Sequence, residues 1–189
     1  MEDMLSSFLE TGEEVLWKGK PESFETLDKT HKPVIIKGEI IKLVVSLALI
    51  IAYIATVNNS GAGVKPGIIV IILAVMAYAL ASPFLHANTV RRKVEYVITN
   101  QRLITIKDDA KGIEFDKIKV AELKTDDDGH TTLLCGPTSV KTEAGKWRTD
   151  ASLGLRLNSE TLDCDALTWY AIPNAKEAEV LLKKYLPIK

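Results

Sequence analysis

The side chains that could carry chemistry in this chain are few and scattered. The three histidines, His31, His86 and His130, lie in three different regions, and the two cysteines, Cys135 and Cys164, form no C-x-x-C pair. A metal centre needs such residues clustered around one point, and a dithiol redox site needs two neighbouring cysteines. The sequence therefore predicts no metal site and no cofactor, and both cysteines are expected to act as small apolar residues.

One acidic cluster stands out, the run Asp126-Asp127-Asp128-Gly129-His130. It lacks the spaced ligands and the closing glutamate of an EF-hand loop, so we expect a solvated turn rather than a calcium site. His130 and Cys135 could in principle pair as base and nucleophile, but positions five apart on one strand face opposite sides. Since nucleotide-binding and hydrolase motifs are also missing, the sequence predicts no catalytic residues, no small-molecule substrate and no enzyme activity.

The charged residues are distributed very unevenly. The chain of 189 residues is 47% hydrophobic and 26% charged, with a formal net charge of −1, but between Leu43 and Val90 its only Asp, Glu, Lys or Arg is Lys65. The small net charge, without a basic stripe of interleaved aromatics, argues against a nucleic-acid partner. The apolar excess between these positions must be buried either in a bilayer or in a protein core.

Two apolar stretches, at about 39–57 and 67–85, are long enough to cross a bilayer, which takes about 20 residues. The first is uncharged only after Lys42, whose ammonium we expect to extend to the headgroups. The polar loop NNSGAGVKP between the stretches predicts an antiparallel hairpin. Two buried helices of a soluble protein are the alternative, but the rest of the chain is too small to enclose them. A cleaved signal peptide is not expected, because the apolar run starts about 40 residues into the chain, behind a charged segment.

The basic residues predict the orientation of this hairpin. Lysines precede the first stretch, Arg91, Arg92 and Lys93 follow the second, and the connecting loop carries only Lys65. Because positive charge favours the cytoplasmic side, both termini are expected in the cytoplasm and the protein in the inner membrane, as a multi-pass protein.

Residues 1–38 form a cytoplasmic N-terminal segment in this prediction. Its first residues place apolar side chains on one face of a short helix: Met1, Met4, Leu5, Phe8 and Leu9. Trp17 could lie among the headgroups, where amphipathic aromatics collect, or pack against the domain that follows the hairpin.

Residues 88–189 are predicted to form an antiparallel sandwich or partly open barrel. A hairpin is indicated by KVEYVIT (93–99) and LITIK (103–107), joined by Asn100-Gln101. Further strands are predicted at 113–115, 118–123, 130–135, 139–143, 152–157 and 167–171. A helix over 175–186, capped by Asn174 and stopped by Pro187, follows them. The predicted fold class is therefore α+β, a transmembrane hairpin followed by a small antiparallel domain closed by a helix.

Several tracts resemble the bacterial pleckstrin-homology-like membrane proteins. GEEVLWKGKP precedes the hydrophobic hairpin, and TWYAIPNAKEAEVLLKKYL resembles that family's last strand and helix. A tract of the form Y-x-[IL]-T-[ND]-x-R-[LIV] follows the hairpin, here Tyr96, Ile98, Thr99, Asn100, Arg102 and Leu103. The resemblance implies a seven-stranded PH-like barrel or sandwich capped by a helix, and it does not imply phosphoinositide binding. The middle of the domain, from Asp126 to Asp150, departs from the family pattern.

Four basic residues are candidates for contact with anionic lipid headgroups. Arg91, Arg92 and Lys93 follow the second stretch directly, where each can add about 1 kcal/mol of attraction to an anionic leaflet. Arg102 could hold a phosphate near the membrane, or its five donors could tie the hairpin turn to nearby acceptors. The first three could instead act only as determinants of topology.

The predicted function is that of a non-enzymatic interaction or scaffolding module held at the inner face of the membrane. Its expected partners are the lipid bilayer and either another protein or a second copy, because Ala48 and Ala52, like Ala77 and Ala81, have the spacing of close helix contacts. The alternatives are a component of a transport or lipid-handling assembly and a receptor for an anionic headgroup. The near-absence of polar residues inside the two stretches argues against a transport path.

Overall fold

Two long helices, each apolar enough to cross a membrane, form an antiparallel hairpin. In the computed structural model, which describes residues 2–61, 63–138, 143–157, 164–186 and 188, α2 spans Lys32–Asn59 and α3 spans Pro66–Lys93. A short helix α1 (Glu2–Phe8) precedes them. Both long helices extend beyond the predicted apolar stretches, because apolar composition marks the thickness of a bilayer and not the end of a helix. The basic end of α3 suits the negative end of the helix dipole.

Eight strands form two open antiparallel sheets among the described residues. The first sheet has the order β1 (Val15–Gly19), β2 (Glu95–Thr99), β3 (Arg102–Ile106), β4 (Ala110–Glu114). The second has the order β5 (Val120–Thr125), β6 (Thr131–Gly136), β8 (Cys164–Trp169), β7 (Leu155–Leu157). A helix α4 (Trp147–Leu153) precedes β7, and the chain ends with α5 (Ala175–Tyr185). The α+β class is confirmed, while neither sheet closes on itself.

The predicted hairpin at the start of the domain is confirmed, and it has a neighbour that the sequence did not indicate. Tyr96 pairs with Thr105 and Ile98 with Leu103 across a two-residue turn. On the other side, β1 pairs antiparallel with β2, with Gly19 opposite Tyr96. The N-terminal segment thus supplies an edge strand to the first sheet, although the two long helices separate it from that sheet in sequence.

A shared core joins the two sheets. Along β2 and β3, side chains alternate between the two faces of the sheet as a strand requires. The core face and the elements opposite it contribute Trp17, Tyr96, Ile98, Leu103, Ile113, Leu133, Leu167, Trp169, Ala178 and Leu182. On the other face, Val97, Ile104 and Ile106 are covered by Leu5 of α1.

Trp17 lies in this core and not among headgroups. Its ring stacks on Trp169 with centroids 6.3 Å apart, and only 8% of the residue is exposed. The interpretation of Trp17 as a membrane-belt residue was therefore wrong, and packing against the domain is what occurs. A tryptophan at this place gains more from burying its large apolar surface than from an interfacial position.

The middle and the end of the domain differ in part from the predicted strands. Ser152 and Leu153 end α4, so the strand predicted at 152–157 is limited to Leu155–Leu157. The strand predicted at 139–143 lies outside the described residues except for Glu143, which precedes a 3-10 turn. Asn174 does occupy the N-cap of α5, but in a left-handed conformation and without a side-chain capping bond. Pro187 lies outside the described residues.

Candidate functional site

The most distinctive polar arrangement lies where the long helices meet the sheets. We call it the joint and define it by Phe24, Asp28, His31, Arg148 and Tyr170. Phe24 and Asp28 come from the segment between β1 and α2, and His31 occupies the N-cap position of α2. Arg148 lies on α4, and Tyr170 directly follows β8. All five are at most 8% exposed, so these polar groups must satisfy one another.

Asp28 is the acceptor at the centre of the joint. Its Oδ1 accepts a hydrogen bond from the His31 backbone N–H at 2.8 Å and lies 2.9 Å from His31 Nδ1. Its Oδ2 pairs with the Arg148 guanidinium, whose Nη1 also donates to the Thr26 carbonyl at 2.8 Å. An aspartate and an arginine 120 residues apart thus hold the start of α2 against α4.

Aromatic rings enclose the Arg148 guanidinium. Its central carbon lies 4.3 Å from the centre of the Phe24 ring and 5.1 Å from that of Tyr170, which is cation–π geometry. Arg91, near the end of α3, lies 5.4 Å from the same Phe24 ring and donates to the Phe24 carbonyl at 3.2 Å. Helices α3 and α4 are therefore both tied to the segment around Phe24.

The acidic turn between β5 and β6 binds the joint instead of remaining solvated. Asp128 accepts hydrogen bonds from the backbone N–H groups of Lys29 and Thr30, at 3.2 and 2.9 Å, just before α2 begins. Desolvation opposes ionisation of Asp128, but these bonds hold its pKa below the usual value. Asp126 accepts from the Tyr170 hydroxyl at 3.1 Å. The prediction of a solvated turn was therefore wrong for these two aspartates, since the folded chain brings unsatisfied donors to them.

The same cluster offers atoms that could bind a cation. Asp28, His31 and Asp126 present ligand atoms that all lie within 4.8 Å of one another. However, Arg148 already contacts Asp28 and supplies a positive charge at this point. A metal ion would have to displace a guanidinium that is stacked between two rings. The arrangement is therefore better described as a buried ion pair with hydrogen-bonded neighbours than as a metal centre.

Both long helices also pack closely against α4 and the residues just before it. Ala87 and Val90 of α3 are fully buried against α4, and His86 Nδ1 lies 2.6 Å from the Ser152 hydroxyl. Gly145, just before α4, approaches α2 so closely that a Cβ atom there would lie 2.6 Å from Cγ2 of Val34. The packing leaves no room for a side chain at this contact.

Lys42 joins the two long helices to each other. Pro83 has no N–H, so the Ala79 carbonyl four residues earlier loses its helical partner. The Lys42 ammonium donates to that carbonyl at 2.7 Å and to Glu39 Oε1 at 2.7 Å. The Lys42 ammonium is thus held between the two long helices by this carbonyl, which also accepts from the Ser82 hydroxyl, and its extension to the headgroups stays a prediction.

The two motifs that carry the PH-like resemblance bind each other. Arg102 donates from Nε to Glu13 Oε1 at 2.9 Å and from Nη2 to Glu13 Oε2 at 2.7 Å, a two-pronged ion pair. Thr99 donates its hydroxyl to Glu13 at 2.7 Å, and Asn100 bonds the backbone of Gly12 and Glu14. Tyr96 donates to the Tyr170 carbonyl at 2.9 Å. The tract thus anchors the N-terminal segment beside β2.

The four candidate headgroup residues differ in what they contact. Arg102 also donates to the Phe8 carbonyl at 2.9 Å and pairs with Glu10 at 3.0 Å, so four of its five N–H donors are used. Arg91 is bound to Phe24, and Lys93 pairs with Asp108 at 3.1 Å. Arg92 is exposed. This geometry favours the structural interpretation of Arg102, and it leaves Arg92 as the candidate most open to a lipid surface.

Of the five residues of the joint, only His31 was considered from the sequence, as one of three scattered histidines, and the run Asp126–His130 that contacts the joint was expected to be a solvated turn. Asp28, Arg148 and Tyr170 carry no spacing that relates them, since they come from three distant segments. Comparison with known proteins adds no family name to this picture, and the PH-like resemblance therefore remains a prediction that rests on the motif residues. No family model matches the chain, and no curated protein and no solved structure is significantly similar to it.

Proposed function

We propose that this chain is a PH-like interaction module, without enzymatic activity, that two transmembrane helices hold rigidly at the cytoplasmic face of the inner membrane. The observation that carries the proposal is the continuity between helix and domain. Helix α3 runs unbroken to Lys93, and β2 begins two residues later at Glu95. A domain joined in this way keeps a fixed distance and orientation relative to a bilayer.

Burial at the base of the hairpin supports the same proposal. A flexible tether would leave the ends of the helices exposed, whereas Ala87, Val90 and His31 are at most 1% exposed where they meet the domain. The outward faces of α2 and α3 are apolar and exposed, with Val44, Val70 and Tyr78 each above 60%. An exposed apolar surface of this length fits a lipid environment.

The PH-like assignment is supported by the motif contacts and by the order of elements. Two antiparallel sheets followed by a final helix are compatible with the capped sandwich that the resemblance implies, although that resemblance implies seven strands, and Glu13 pairs with Arg102 across the two motifs. The described residues form eight strands in two open sheets, which favours the sandwich form over a closed barrel.

Topology is the first test. A cysteine at Ser60, in the loop between the long helices, should react with a membrane-impermeant maleimide in intact cells. A cysteine at the exposed Asp116 should react only after the cells are permeabilised, and the unmodified chain measures the background of the native cysteines. Equal labelling of the two positions in intact cells would contradict a hairpin with both termini in the cytoplasm.

Contact with a protein partner is the second test. Val180 on α5 is an apolar residue that is 62% exposed, and it is therefore a suitable position for a photoreactive amino acid. Irradiation of native membranes should give protein adducts from this position. The matched position Tyr78, 72% exposed on α3, should give mainly lipid adducts. Lipid adducts alone at both positions would argue against an interaction module.

Self-association can be separated from packing within the hairpin. Ala48, Ala52 and Ala77 are exposed and Ala81 is half-buried, so these alanines are not the main contact between α2 and α3. If a second copy packs there, Ala77→Leu with Ala81→Leu should reduce the mass of the detergent-solubilised protein without lowering its melting temperature. An unchanged mass would mean that these alanines face lipid.

A further inference from the structure

His31 has an unusual environment for a histidine. It is 1% exposed, and while Nδ1 lies 2.9 Å from Asp28, Nε2 is buried and has no hydrogen-bond partner among the described residues. In the neutral ring, Nδ1–H donates to Asp28 and Nε2 needs no donor. In the protonated ring both nitrogens carry hydrogen, and the Nε2–H group would have no acceptor.

The charged groups that act on His31 lie on α4, on the segment before α2 and on the turn between β5 and β6, while Tyr170 packs an uncharged ring against it. Arg148 on α4 places a positive charge beside the ring, and the start of α2 contributes the positive end of a helix dipole. Asp28 and Asp126 act in the opposite sense, but the first is paired with Arg148 and the second accepts from Tyr170. The effects of burial and of Arg148 on the pKa of His31 outweigh the opposite effects of the two aspartates, so this pKa is lowered below its usual value of 6.5.

We propose that His31 makes the joint acid-labile: neutral His31 keeps the start of α2 docked against α4, and uptake of one proton at Nε2 releases this contact. The proton comes from solvent. It creates a cation beside Arg148 with a donor that the closed joint cannot satisfy. Opening lets the imidazolium reach water, while Asp28 and Arg148 remain free to pair. The domain would then be fixed to the long helices at neutral pH and loosely attached in acid.

The opening should be local, because the main core lies apart from this cluster. The core that joins the two sheets is formed by apolar and aromatic side chains and includes no histidine among the described residues. Since His31 has a lowered pKa when folded, the closed joint binds fewer protons than the open one. Its stability is therefore complete above about pH 6.5 and falls as the pH decreases below that value. The open fraction should grow by up to about tenfold per pH unit.

The experiment uses the full chain in lipid vesicles with a thiol reporter in the joint. Ala151 on α4 is fully buried in the same cluster as Phe24 and Tyr170 of the joint, so an Ala151→Cys thiol should react with a maleimide only when the joint opens. Cys135, fully buried in the main core, reports global unfolding in the same molecule, and Cys164 is replaced by serine. Labelling at each site is measured by mass spectrometry between about pH 7.5 and about pH 5.5.

Histidine variants identify the group that titrates. His31→Asn keeps a donor close to the position of Nδ1 and cannot be protonated, so labelling of the Ala151→Cys thiol, compared with the parent at each pH, should lose its acid-induced rise. His86→Asn with His130→Asn leaves His31 as the only histidine and should retain the rise. Comparison at equal pH cancels the pH dependence of the thiol reaction itself.

Four results would overturn the proposal. The first is a rise that persists in His31→Asn, and the second is a rise that disappears in the double variant, which would assign the effect to His86 or His130. The third is parallel labelling of Cys135, which would indicate global unfolding. The fourth is protection by micromolar Zn²⁺ in the parent but not in His31→Asn, because Asp28, His31 and Asp126 would then hold a metal.

Discussion

Glu13 is the residue whose replacement most directly tests the contact between the two motifs. Its side chain is fully buried and accepts four hydrogen bonds: two from Arg102, one from the Thr99 hydroxyl and one from the Glu10 backbone N–H. Glu13→Gln keeps the size and removes the charge. The amide must then turn an N–H₂ group toward donors, and the Arg102 guanidinium loses its buried counter-ion and keeps only the exposed Glu10.

The expected loss is about 3 kcal/mol in the free energy of unfolding. Removing one partner of a buried ion pair typically costs about 3–5 kcal/mol. The lower end applies because Arg102 keeps Glu10 at 3.0 Å, the Phe8 carbonyl at 2.9 Å and the Phe8 ring at 4.6 Å. Glu13→Gln with Arg102→Met should cost less than the sum of the two single changes, since the second change removes the isolated charge.

Urea unfolding of the full chain in detergent, followed by tryptophan fluorescence, measures this loss. Trp17 in β1 stacks on Trp169, so the signal reports the strand that Glu13 anchors. Glu10→Gln is the matched control, because its side chain is 63% exposed and its ion pair should contribute no more than about 0.5 kcal/mol. Equal losses within about 0.5 kcal/mol for Glu13→Gln and Glu10→Gln would refute the assignment of Glu13 as the anchor.

The same contact should make the parent protein sensitive to acid in a second range. Burial acts to raise the pKa of Glu13, but hydrogen bonds from Arg102, Glu10 and Thr99 outweigh it and lower the pKa below 4.5. A lowered folded pKa means that the stabilisation is present above about pH 4.5 and lost as the pH falls further. Glu13→Gln should remove this part of the pH dependence, and a variant that keeps it would contradict the pKa direction.

Two further predictions concern the close contacts of the long helices. Gly145→Ala should destabilise the chain by about 1–3 kcal/mol through overpacking against Val34, and adding Val34→Ala should restore part of this in the same urea titration; no recovery would mean that Gly145 acts through its backbone. Lys42→Met should lower the melting temperature in detergent at a cost of about 1–2 kcal/mol, because Glu39 loses its ion-pair partner and the Ala79 carbonyl keeps the Ser82 hydroxyl as its remaining donor. Pro83→Ala in that background should recover stability by returning a helical N–H to Ala79, and additive losses would contradict this account.

The two long helices and the hairpin of β2 and β3 were predictable because their signals are local. The apolar side chains between Leu43 and Val57 must be removed from water, and a helix makes all of its backbone hydrogen bonds within the segment. The alternation of Tyr96 and Ile98 with Val97, ended by a two-residue turn, likewise needs no distant partner to be recognised. α5 was predictable for the same reason, from its apolar periodicity.

The edge strand β1 and helix α4 were not predictable because each depends on a distant partner. VLWKG is a five-residue segment without a clear period, and it becomes a strand only by pairing with β2, which follows both long helices. WRTDASL is a polar seven-residue segment, too short to be a stable helix alone. It is helical where it packs against the buried Ala87 and Val90 of α3.

Local sequence patterns account for the two long apolar helices, the α+β class and the tracts that resemble PH-like proteins. The contacts of the polar residues in those tracts depend on the folded chain as a whole. Glu13 and Arg102 lie 89 residues apart and Asp28 and Arg148 lie 120 apart, and no local pattern relates them. The periodicity of apolar residues indicates which positions will be buried, because the free energy of burial depends on each residue separately. A buried charge needs one particular partner, and which residue becomes that partner depends on the path of the folded chain.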